Sequence, residues 1–249
     1  MRTAALVAAS SFNAAAFLRF HEQHPYDDIV AVDAGYAHLQ AIEVTPTLVV
    51  GDFDSLGFVP SDIPTVRFPE EKDDSDLGLA LDWCADNDID SVSVYGAFAG
   101  RLDHTFAAIQ TMAGFSLGTH RAVRGISDTA QLVVMPGGHR LLMPGADQGP
   151  DFCALPKEQR TVSVISLSDC SRGVTIQGMK YELGGGDLTN RCSLGLSNEL
   201  IGKDASVSLA EGCVMVTLPL YQEIILSCCQ LSKSFTNSKF LLDGKLLYQ

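Results

Sequence analysis

At 249 residues with 46% apolar side chains, the chain can bury a full core and hold one large or two small domains. Thirty acidic residues against 17 basic ones give a formal net charge of −13, which argues against nucleic acid as a partner because binding its phosphates needs a basic surface. No stretch approaches the ~20 apolar residues that a membrane helix needs, and the seven cysteines form no C-x-x-C pair. A cytoplasmic chain with reduced thiols, no disulfide or zinc framework and no membrane contact is therefore expected.

In chain order, MRTAALVAASSFNAAAFLRF has the Arg2 and alanine-rich look of a signal peptide, but Ser10, Ser11 and Asn13 break the apolar run. A strand over AALVAA and a helix through Phe17 and Phe20 are expected instead. DIVAVDAG reads as a second strand that ends at Asp33 and Gly35, and TLVVGD as a third that ends at Asp52. A helix is predicted after Asp73, with Leu77, Ala80, Leu81 and Cys84 as its apolar stripe. SVSVYG gives a further strand. After Arg101 comes a helix whose buried stripe is read as Leu102, Phe106, Ile109 and Ala113.

Strands alternating with helices imply a parallel sheet with right-handed crossovers, and in such sheets the site lies off the carboxyl ends of the strands. From about Ala130 the pattern changes. AQLVVMPG, TVSVISLS, GVTIQGMKYEL and CVMVTLPL read as strands of a smaller antiparallel β-sandwich or barrel. The organisation expected is an amino-terminal α/β domain over 1–128 and a β domain over 129–220, with a tail over 221–249 that is assigned no function.

Three strand ends carry the chemistry. In TLVVGDFDSL, Asp52 and Asp54 are two residues apart in extended chain and point the same way, while Phe53 turns toward the core. Two like charges so close call for a cation, most economically a divalent one. Asp73, Asp74, Ser75 and Asp76, preceded by Lys72, exceed what capping a helix start needs. In YGAFAGRLDHTF, a glycine-bearing loop feeds a helix start that offers backbone N–H groups and Arg101 to an anion, with Asp103 and His104 in the first turn. Neither G-x-x-x-x-G-K-[ST] nor G-x-G-x-x-G is present.

Taken together, Asp33-Ala34-Gly35, Gly51-Asp52-Phe53-Asp54-Ser55, Lys72 to Asp76, Gly100 to His104 and Gly195-Leu196-Ser197-Asn198-Glu199 resemble the thiamine pyrophosphokinase family over roughly residues 28 to 218. The resemblance implies an α/β nucleotide domain followed by a β domain, a homodimer, and transfer of pyrophosphate from ATP to thiamine. It implies Mg²⁺ held by Asp52, Asp54 and Asp76, and Asp52, Asp54, Asp76, Arg101 and Asp103 as catalytic groups, with Asp103 or Asp76 taking the substrate proton. ATP contacts fall to Asp33, Lys72, Asp73, Ser75, Arg101 and His104, and thiamine contacts to Ser197 and Asn198.

The chain departs from the family's pattern at three places. Ala99 stands where glycine is usual and Ser75 where threonine is usual, and Ala8 to Phe12 replace a glycine-bearing first loop. A haloacid-dehalogenase-like phosphatase with Asp52 as nucleophile, or a nucleotide or thiamine binder without turnover, are the alternative readings.

Overall fold

The computed structural model describes residues 1–53, 57, 58, 60, 62–68, 74–145 and 150–228, without the side chains of Pro150 and Asp151. The chain divides into two compact units. The first comprises Met1–His21 and Pro25–Val134, and the second Glu22–His24 and the residues from Met135 onward.

The first unit opens with β1 (Thr3–Val7), α1 (Ala14–Gln23), β2 (Asp28–Val32), α2 (Gly35–Ala41), β3 (Leu48–Gly51) and β4 (Thr65–Arg67). It continues with α3 (Asp76–Asp86), β5 (Ser91–Tyr95), α4 (Leu102–Thr119), β6 (Val123–Ile126) and β7 (Ala130–Pro136). β6, β5, β1, β2, β3 and β4 lie side by side and are all parallel, and β7 turns back antiparallel on β6. Every residue of β2, β3 and β5 is buried, as expected of inner parallel strands covered on both faces.

The stripe read for α3 is buried as predicted, at Leu77, Ala80, Leu81 and Cys84. Of the stripe read for α4, Ala113 is buried and Ile109 half-buried, but Leu102 and Phe106 are not. That helix buries Ala108, Met112, Ala113, Phe115 and Ser116, while Leu102 and Phe106 are 82% and 61% exposed. α4 is apolar on more than one face, so spacing alone allowed two, and folding buried the one that carries Ala108, Met112 and Phe115.

The second unit contains β8 (His139–Met143), β9 (Thr161–Ser166), β10 (Ser171–Gln177), β11 (Leu183–Leu188) and β12 (Asn198–Glu199). β13 (Ala205–Ser208), β14 (Cys213–Pro219) and β15 (Ile225–Cys228) complete it. β12, β9 and β14 pair antiparallel in that order. β11, β10, β13, β8 and β15 form a second antiparallel sheet. The last described strand, β15, falls within 221–249, the stretch to which the sequence alone assigned no function.

GVTIQGMKYEL is two pieces rather than one strand. Gly178 takes the left-handed region at φ 71, where glycine carries no steric cost. β10 ends before it, and Met179 to Glu182 bend out to the start of β11. No described helix is long and apolar enough to cross a membrane, and the six described cysteines are free.

Candidate active site

Parallel strands end at one edge of their sheet, so the loops after β1, β2, β3 and β5 share a rim. Asp33 lies just past β2 in the left-handed region (φ 48), its N–H donating to the Val50 carbonyl at 2.7 Å. It is 9% exposed, and its Oδ1 is buried with no hydrogen-bond partner among the described residues. A buried carboxylate oxygen left without a donor is costly, and such an atom points to a ligand or ion. The end of β3 presses against it: a Cβ on Gly51 would stand 3.1 Å from the Asp33 Cα. Asp52 follows, half-buried, and Phe53 is buried as expected, but Phe53 takes the left-handed region at φ 67, so the chain is not the extended strand from which the shared direction of Asp52 and Asp54 was read. Asp54 lies outside the described residues.

α2 starts against the same rim. A Cβ on Gly35 would come within 1.8 Å of the Val7 carbonyl oxygen, so the Asp33-Ala34-Gly35 turn can sit beside β1 only without a side chain. Gly96, past β5, is constrained in the same way, with φ 66 and a Cβ position 2.2 Å from the Ala8 carbonyl oxygen. The left-handed angles of the loop into α4 fall on Gly96 and Gly100, and Ala99 does not carry one. Alanine there imposes no backbone strain.

α3 and α4 return the chain from this rim, so both begin on it. Ser75 caps α3, its Oγ accepting from the Gly78 N–H at 3.1 Å, and Asp74 accepts from the Ser75 N–H at 2.7 Å. Asp76 opens the first turn, while Lys72 and Asp73 lie outside the described residues. At the start of α4, Arg101, Asp103 and His104 are exposed. Arg101 Nη2 is 2.6 Å from Asp103 Oδ2 and its Nε donates to Oδ1 at 3.2 Å. That fork holds the Asp103 carboxyl below the usual carboxylate range. The first unit thus gathers Asp33, Asp52, Ser75, Asp76, Arg101, Asp103 and His104 on one edge.

Ser197 and Asn198 belong to the second unit. Ser197 is exposed at φ 56, its N–H donating to Ser163 Oγ at 3.1 Å. Asn198 is 4% exposed, and its amide is engaged through both oxygen and nitrogen. Oδ1 accepts from the N–H groups of Tyr181 (3.0 Å) and Glu199 (2.9 Å), and Nδ2 donates to the Tyr181 carbonyl at 2.6 Å. Asn198 therefore clamps the backbone of Tyr181, whose ring is 60% exposed.

Tyr181, Leu194, Leu196 and Asn198 line a shallow recess of about 110 Å³, smaller than a site that encloses a whole small molecule. Beneath it the Glu199 carboxylate pairs with Lys180 (2.9 Å) and Arg160. Lys180 first, and then Arg160, holds Glu199 below the usual carboxylate range, and the same lysine lies 5.5 Å over the Tyr181 ring. The sequence reading did not single out Tyr181. Its only signal was an aromatic residue three positions after Gly178, which looked like part of a strand.

The description of the thiamin pyrophosphokinase catalytic domain matches residues 22–123, and that of the thiamin pyrophosphokinase vitamin B1 binding domain matches residues 152–214. The chain belongs to the thiamine pyrophosphokinase family. A thiamine pyrophosphokinase of Bacillus subtilis is 28% identical over 193 residues, which is 75% of this chain and 85% of the relative. A crystal structure of thiamine pyrophosphokinase from Bacillus subtilis aligns with TM-score 0.70 at 24% identity, covering 88% of this chain and 99% of the other. One from Geobacillus thermodenitrificans aligns with TM-score 0.67 at 25% identity, covering 86% and 96%. The fold extends to the Candida albicans thiamin pyrophosphokinase at TM-score 0.68 and 16% identity, covering 88% and 89%. The α/β unit followed by an antiparallel β unit is thus the thiamine pyrophosphokinase architecture, and the phosphatase alternative is not favoured.

Proposed function

We infer that the chain transfers the pyrophosphoryl group of ATP to the hydroxyl of thiamine, giving thiamine diphosphate and AMP. The observation that carries this is the succession along one chain of a match to the catalytic domain and a match to the vitamin B1 binding domain. In the reaction the thiamine hydroxyl oxygen bonds to the β-phosphorus. The bond from that phosphorus to the α–β bridging oxygen breaks, AMP carries the bridging oxygen away, and the hydroxyl proton passes to a carboxylate. Such a transfer is mostly a matter of alignment and charge compensation.

Asp52, Asp54 and Asp76 would hold Mg²⁺. An all-carboxylate donor set suits that hard cation, and the unpartnered buried Oδ1 of Asp33 beside Gly51 fits a rim built for a charged ligand. When bound, the ion supplies neutralisation of the triphosphate. Arg101 holds phosphate oxygens with its planar fork. Asp33, Lys72, Asp73, Ser75 and His104 complete the ATP contacts. Asp103 pairs with the Arg101 fork through both carboxylate oxygens, and Asp103 or Asp76 takes the hydroxyl proton.

Ser197 offers its exposed hydroxyl to thiamine, and Asn198 acts through Tyr181.

With ATP, Mg²⁺ and thiamine, the purified chain is expected to release AMP in step with thiamine diphosphate, and with ATP alone to release none. Release of ADP or inorganic phosphate in place of AMP would overturn the assignment.

The chain works as a homodimer in this reading. The exposed Leu102, Phe106 and Leu117 on α4 support it, because a helix rarely leaves such a face in water. Phe106→Glu is expected to shift the mass seen in light scattering from dimer to monomer. A dimer of unchanged affinity would remove α4 from the interface.

A further inference from the structure

The loop after β1, Ala8 to Asn13, is stitched to the loop after β5. The Ala8 N–H donates to the Tyr95 carbonyl at 2.9 Å and the Ser10 N–H to the Gly96 carbonyl at 2.7 Å. The Ser10 hydroxyl donates to the Ala99 carbonyl at 2.5 Å. Behind it, His38 Nε2 lies 2.8 Å from the Ser10 carbonyl and 3.3 Å from that of Ala9. A carbonyl oxygen only accepts, so Nε2 carries the proton in this arrangement. Phe12 stacks on the His38 ring at 5.3 Å. Further along, Ser11 Oγ donates to Asp128 Oδ2 at 2.7 Å, and Asn13 Nδ2 to the Asp128 carbonyl at 3.1 Å.

The peptide that receives the Ser10 hydroxyl is Ala99–Gly100, immediately before Gly100 (φ 78) and Arg101. Turning that peptide swings Arg101, together with the Asp103 carboxylate its fork holds, and the first N–H groups of α4, where Arg101 as N-cap makes no side-chain capping bond of its own. We propose that Ser10 is a positioning residue for Arg101: its hydroxyl locks the Ala99–Gly100 peptide so that Arg101 meets the phosphates of ATP. The proposal rests on the reading that Arg101 binds ATP. It also accounts for two departures from the family's pattern together. The first loop has a serine side chain to spend, and the peptide it holds follows Ala99, which is stiffer than glycine.

The test compares Ser10→Ala, Ser10→Thr, Ala99→Gly, the double variant Ser10→Ala with Ala99→Gly, and Arg101→Ala. Steady-state kinetics would be measured against ATP and thiamine separately, alongside thermal unfolding. Loss of one part-buried hydrogen bond should raise KM for ATP about five- to tenfold and leave KM for thiamine unchanged. Ser10→Thr keeps the hydroxyl and should restore the ATP value. Ala99→Gly should cost more in the Ser10→Ala background than alone, because glycine loosens a peptide that nothing then holds.

If Ser10→Ala leaves KM for ATP unchanged while Arg101→Ala raises it, the positioning role is wrong and Arg101 keeps its place. If Ser10→Ala raises both KM values together with a lowered unfolding temperature, the residue is structural only, and the proposal is overturned. If Arg101→Ala itself leaves KM for ATP unchanged, the reading of Arg101 falls, and the proposal with it.

Discussion

Asp52→Asn is expected to lower kcat by ~10²-fold or more with little change in thermal unfolding. Asp52 is half-buried at the end of β3, in the loop rather than in the core, and asparagine has nearly the same shape, so the fold loses little. The charge is what changes. One carboxylate fewer weakens the hold on a divalent cation and leaves triphosphate charge uncompensated beside Asp33, whose Oδ1 already has no partner among the described residues. Kinetics at several Mg²⁺ concentrations check this: the variant should need more Mg²⁺ for half-maximal rate. Activity within a few-fold of the parent, with the same Mg²⁺ dependence, would remove Asp52 from the metal site.

Asn198→Ala should damage both stability and acceptor recognition. Its amide makes three hydrogen bonds to the backbone of Tyr181 and Glu199 from a buried position. Truncation leaves those groups short of partners, at a cost on the order of 2–3 kcal/mol. With the clamp gone Tyr181 no longer holds its place at the recess, and KM for thiamine should rise about tenfold or more while KM for ATP stays put. Tyr181→Ala separates the two effects. Its ring is mostly exposed, so thiamine recognition should suffer with little loss of stability. In the double variant the losses in acceptor recognition should be less than additive, since both act through one side chain. Unchanged thiamine binding in both single variants would move the acceptor away from this recess.

Much of this molecule was legible in its sequence. β2 and β3 announced themselves as apolar runs closed by Asp or Gly, and a run buried on both faces reads the same in any neighbourhood; β4 and β6, short and carrying Arg67 and Arg124, were not read from the sequence. Asp33, Asp52, Asp76 and Arg101 were located because each follows a strand end or opens a helix, and topology alone then carries them to one edge. The stripe of α3 was readable because its opposite face is polar.

Where local pattern was ambiguous, only tertiary packing decided. α4 is apolar on several faces, and packing in the folded unit buried Ala108, Met112 and Phe115 rather than Leu102 and Phe106. The sequence supplies Asn198 with donors and acceptors, but it cannot say that they are spent on a backbone 17 residues upstream. Nor can it say that the Ser10 hydroxyl reaches a carbonyl 89 residues downstream. Spacing determines what a residue can do along its own strand or helix. Which partner it meets depends on contacts between distant segments, and those exist only once the chain is folded.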